Sequence, residues 1–139
     1  MVRFLPDAVV LAIHDDQIRL YGGSYGVRDE GALAAALALP RAQYGGQYLH
    51  TTIAEMAAAY GFHLCEDHSF VDGNKRTAGM TMFTFLSLNG LDVVAPEQAY
   101  YETMMAVATH TLRKAGLAAW LRTVVRGTPP DVSQPRAEA

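Results

Sequence analysis

Paired cysteines, long apolar runs and a basic excess are all missing from this 139-residue chain. One cysteine, Cys65, rules out an intramolecular disulfide and points to a reducing compartment. No uncharged apolar stretch reaches the roughly 18 residues expected of a membrane helix, and the start, "MVRFLPDAVV", lacks the apolar core of a signal peptide. The formal net charge is −3, which argues against a general nucleic-acid binder. A cytoplasmic protein is expected, with no membrane partner and no direct nucleic-acid binding. Extended alternation of polar and apolar residues is also missing, and no internal repeat is visible.

Alanine, leucine and methionine are abundant instead, and half the residues are hydrophobic. One all-α domain over residues 1–126 is the expectation, with the proline-rich stretch 127–139 read as a disordered tail. A first helix is predicted from about Pro6 to Leu20, with Val9, Ile13 and Leu20 near one face. "YGGSYG" breaks it, and "RDEGALAAALAL" forms a second helix that stops at Pro40. Gly45-Gly46, between Gln43-Tyr44 and Gln47-Tyr48, reads equally well as a small hairpin or as an ordinary loop. A third helix starts near Thr51 or Thr52, and Thr52 has capping-box spacing to Glu55. Ile53, Met56, Ala57, Tyr60 and Leu64 form its core face. Thr77 to Leu88 is apolar on every side and is predicted to be the buried central helix. "NGLDVVAP" ends it with a very short strand, and helices over Glu97–Thr111 and Lys114–Val125 complete the set, with Trp120 in the core.

The charge is concentrated in "EDHSFVDGNKR", Glu66 to Arg76, directly before the apolar helix. Asp72-Gly73-Asn74 is a turn signal, and Asn74 is predicted to cap the helix. Lys75 and Arg76 then fall in its first turn, where the helix dipole disfavours cations. A bound anion, phosphate above all, would resolve that conflict. Asp72 is a hard oxygen ligand suited to Mg²⁺. His68 is of the residue type most often used as a general base, and Phe70 is predicted to turn inward as the loop's anchor. The competing reading is a solvated interhelix loop. His63, Cys65 and His68 do not make a zinc set, because His63 and Cys65 point to different faces of a helix and no fourth ligand is evident. His14 reads as structural, and Glu66 and Asp67 as solvated helix-end charge.

"HSFVDGNKRTA" resembles the signature of the Fic/Doc superfamily. The Fic branch has glycine before the motif arginine and a further arginine three residues on. The Doc (death-on-curing) branch has lysine at the first place. Lys75 and Gly79 therefore resemble the Doc branch, as do "IHDDQIRLYGG", "GVRDEGALAAAL" and "FLSLNG". The resemblance implies about six helices around a central one, with ATP and Mg²⁺ as cofactors. It implies a toxin that transfers the terminal phosphate of ATP to a threonine of elongation factor Tu, and so stops translation. His68 would be the base and Asp72 the metal ligand. Gly73, Asn74, Lys75, Arg76 and Thr77 would hold phosphates, and the flap Gln43–Tyr48 would dock the target. Inhibition would come from a separate antitoxin, because the nearest match to a built-in inhibitory motif, "TTIAEM", lies inside the third helix. AMP transfer to a protein hydroxyl, or a catalytically silent binding protein, are the alternatives.

Overall fold

The computed structural model describes residues 1–133 and 135. Six helices are found among them: α1 (Asp7–Tyr21), α2 (Glu30–Ala38), α3 (Ile53–Glu66), α4 (Asn74–Leu88), α5 (Glu97–Ala108) and α6 (Lys114–Val124). Two short antiparallel pairs accompany them. β1 (Gln43–Tyr44) pairs with β2 (Gln47–Tyr48), and β3 (Asp92–Val93) pairs with β4 (Val125–Arg126). The expected all-α class holds. The Gly45-Gly46 segment is a hairpin, because both glycines take the positive φ that a two-residue turn requires, 60° and 77°.

The helix at the centre is α3, not α4 as its uniformly apolar sequence suggests. Eleven α3 residues, from Ile53 to Cys65, are buried, and α3 packs most extensively against α4 and α6. On α4, Met80 and Leu88 face solvent. The small residues Ala57, Ala58, Ala59 and Gly61 let neighbouring helices approach α3 closely, which an amphipathicity argument does not register. Thr52 caps α3 as expected, its hydroxyl accepting from the Glu55 N–H at 3.1 Å. Glu55 answers to the N–H of Thr51 at 2.8 Å rather than to the cap residue itself.

Helix α1 presents a different face from the predicted one. Val10, His14, Gln17 and Ile18 are buried, while Leu20 is 53% exposed and Val9 lies at the surface. His14 points inward because the loop beneath it offers a partner, as described below. The segment after β4 lies partly against the domain: Val132 packs on the core. Residues 134 and 136–139 of the expected tail fall outside the described residues.

The seam between α3 and α6 carries a half-buried polar contact. Lys114 Nζ donates to His63 Nε2 at 3.2 Å. Burial, and then the Lys114 charge, pushes the His63 imidazole from 6.5 down to about 4. His50, beside it, is lowered by the same two causes. Between those two pH values the unfolded chain binds a proton that the folded chain refuses. Stability is therefore fully present above about pH 6.5 and declines as pH falls toward about 4. The urea midpoint is expected to drop between pH 7 and pH 5, and His63→Gln should flatten the drop. Parallel declines in the two proteins would remove His63 as its source.

Candidate active site

The loop between α3 and α4 is built from local turn chemistry and then tied down from a distance. Gly73, not Asn74, precedes the first turn of α4. It takes φ 73° and ψ 20°, a left-handed conformation that glycine adopts without strain. Asn74 is already helical, and its side chain closes the loop instead. Its Oδ1 accepts from the Phe70 N–H at 2.9 Å, and its Nδ2 donates to the Phe70 carbonyl at 3.0 Å. Phe70 turns inward as expected, 1% exposed, with its ring stacked on His14 at 3.9 Å. His14 Nε2 donates in turn to the Asp72 carbonyl at 2.8 Å. His14 thus supports the loop from α1, which explains why α1 turns this face inward.

Asp72 is exposed, and its carboxylate is oriented by backbone donors. Oδ2 accepts from Ser24 N–H at 3.2 Å and Oδ1 from Gly73 N–H at 2.8 Å. These bonds, Ser24's first, hold its pKa below the usual carboxylate value. A β-carbon at Gly23 would come within 2.5 Å of Oδ2, so only glycine permits this approach. An ionised, exposed carboxylate with lone pairs to spare fits a Mg²⁺ site of the kind completed by substrate phosphates and water. Among the described residues no group of three or more His, Cys, Asp or Glu could hold a metal by itself.

The two cations at the start of α4 have partners within the chain. Arg76 donates to the Gln17 carbonyl at 3.2 Å and the Gly22 carbonyl at 2.9 Å, at the negative end of the α1 dipole. Lys75 Nζ stands 5.3 Å from the centroid of the Tyr101 ring. An empty anion site is therefore not needed to explain their presence. The guanidinium still has N–H donors to spare, and among the described residues the Lys75 ammonium is held by a weak ring contact alone.

His68, Asp72, Gly73, Asn74, Lys75 and Arg76 line one cavity of about 590 Å³, which suits a nucleotide-sized ligand. The rest of the lining is largely apolar: Val71 from the loop itself, and Tyr100, Tyr101 and Met104 from α5. Those three α5 residues escape sequence reasoning, because in the chain they look like an ordinary helix face. Tyr100 also explains Gly79: a side chain at that position would collide with the Tyr100 hydroxyl. Thr77 is fully buried and does not line the cavity, so its side chain is turned away from any phosphate there. The hairpin Gln43–Tyr48 lies outside the cavity lining. Tyr44 at its tip is 84% exposed, whereas Tyr48 is buried against Phe4. Glu66 pairs with His110 at 3.0 Å rather than with His68.

The model described as Fic/DOC family matches residues 4–86. A protein of Mycolicibacterium smegmatis named Toxin Doc is 43% identical over 75 residues, which cover 54% of this chain and 58% of that protein's length. Protein kinase doc of Escherichia phage P1 is 31% identical over 122 residues, 87% of this chain and 94% of the relative.

Proposed function

Because the chain belongs to the Fic/DOC family, in its Doc branch, we propose that it is a toxin that acts as an ATP-dependent protein kinase. The target is a threonine of elongation factor Tu, and the consequence is arrest of translation. One observation carries this reading: His68, Asp72, Lys75 and Arg76 converge on a single cavity large enough for ATP. The name of the phage relative, a protein kinase, supports the same direction.

His68 takes the proton from the threonine hydroxyl, and the oxygen attacks the terminal phosphorus. The bond from that phosphorus to the oxygen of the leaving ADP breaks as the new one forms, and the proton stays on the imidazole until it exchanges with water. Lys75 leaves the Tyr101 face for the phosphate oxygens, and Arg76 adds its spare N–H donors. Asp72, with substrate phosphates, would hold Mg²⁺, which supplies charge neutralisation on the polyphosphate. Tyr100, Tyr101 and Met104 offer the apolar wall for the nucleoside. The exposed edge of the Gln43–Tyr48 hairpin aligns the target segment as an added strand. A separate antitoxin protein inhibits the enzyme.

The deciding measurement uses elongation factor Tu with ATP labelled at the terminal or at the first phosphate. Label from the terminal position alone is expected. Label from the first phosphate alone would convert the reading to AMP transfer, and no transfer from either would end both.

A further inference from the structure

We infer that Arg28 is a positioning residue for His68, acting through the loop backbone; the kinetic part of this inference rests on the transfer reaction above. His68 has φ +48°, a left-handed conformation that a non-glycine residue holds only when its surroundings impose it. The side chain itself is exposed, so its own packing does not impose it. The restraint is on the carbonyls. Arg28 Nε donates to the His68 carbonyl at 2.7 Å, and Nη2 donates to the Asp67 carbonyl at 3.2 Å. The backbone N–H of Arg28 donates to the Ser69 carbonyl at 2.8 Å, joined there by the Asp29 N–H at 3.1 Å. One residue thus holds three successive carbonyls, those of Asp67, His68 and Ser69.

Its neighbours extend the same contact. Val71 N–H donates to the Gly26 carbonyl at 3.0 Å, and Val27 bridges Phe70 in antiparallel fashion. Residues 26–29 therefore form a backing strip on which the loop from Asp67 to Val71 is laid. Asp29 fixes the far end of the strip by capping α2, its carboxylate accepting from Ala32 N–H at 2.9 Å. The guanidinium has no ion-pair partner among the described residues; both of its side-chain bonds go to carbonyls at the C-terminal end of α3, where a cation is electrostatically favoured. A planar fork reaches two adjacent carbonyls at once, and a lysine ammonium does not reproduce that geometry.

If Arg28 sets the aim of His68, its loss should lower the turnover rate more than substrate binding. Arg28→Ala is expected to reduce kcat about 10- to 100-fold, the scale of a displaced catalytic group, with KM for ATP within about twofold. Arg28→Lys should recover part of the loss. A second readout does not depend on the reaction. The ring ¹H–¹³C signal of His68 should shift or broaden in Arg28→Ala, while that of buried His14, packed on Phe70 in the same loop, stays in place. An unchanged kcat overturns the inference. So does a His68 signal that superimposes on the wild type, even if the protein transfers nothing. Should the alanine variant not fold, Arg28→Lys decides on the same two readouts, and wild-type behaviour in both overturns the idea.

Discussion

Replacing His68 by alanine is expected to lower phosphate transfer about 10²- to 10⁴-fold, the usual contribution of a positioned general base. Affinity for ATP should change little, because the groups that would meet the polyphosphate are Lys75, Arg76 and the backbone around Gly73 rather than the His68 ring. The expected pattern is therefore a fall in kcat with KM for ATP nearly constant, as for an interaction made only in the transition state. Folding should be unaffected. His68 is exposed, and among the described residues its hydrogen bond runs through its carbonyl rather than its ring. His110→Ala is the matched control, an exposed histidine that pairs with Glu66 outside the cavity lining. Its rate should stay near the wild type. A His68→Ala enzyme with wild-type turnover would remove the base from the mechanism.

Phe70→Ala is expected to cost about 3–5 kcal/mol of stability, the usual range for deleting a fully buried aromatic ring. Against a total of about 5–15 kcal/mol for a natural domain, that is a large share. The ring is sealed and stacked on His14, while the Phe70 backbone forms an antiparallel bridge with Val27. Truncation opens a cavity beneath the active loop and frees the His14 imidazole, which bonds the Asp72 carbonyl. Phe70→Leu fills much of the space and should cost less, on the order of 1–2 kcal/mol. Urea unfolding monitored by circular dichroism separates the two. An alanine variant within about 1 kcal/mol of wild type would mean that the Asn74 side chain, which bonds both backbone groups of Phe70, anchors the loop unaided.

Much of the site was legible because its chemistry is contiguous. From His68 to Arg76 the turn signal, the histidine, the carboxylate and both cations lie in one run, so adjacency in the chain stands in for adjacency in space. Helix α3 was legible for a similar reason: Thr52 and Glu55 mark its start, and a regular apolar spacing marks its face. Other inferences failed where local pattern met distant partners. The stripe of Val9, Ile13 and Leu20 suggested a core face for α1, but His14 bonds the carbonyl of Asp72, 58 residues away, and turns the helix toward the loop. Asn74 has the right residue type for a cap, yet its amide is used on Phe70, and the cap position passes to Gly73. Uniform apolarity made α4 look central, whereas close approach to small residues put α3 there.

The sequence by itself determined the class of fold, the family resemblance and the residues able to do chemistry. These rest on short-range periodicity, turn preference and a compact motif, all of which act within a few residues. Only the tertiary structure decided what stands behind and across from that motif: His14 beneath it, Arg28 along its back, and Tyr100, Tyr101 and Met104 as the facing wall. Each of these contacts closes a loop of many residues and is stabilised by burial or by a backbone carbonyl, which has no signature in the side-chain sequence. The same contacts also answer for Lys75 and Arg76, which look misplaced at a helix start until the ring of Tyr101 and the end of α1 are brought beside them.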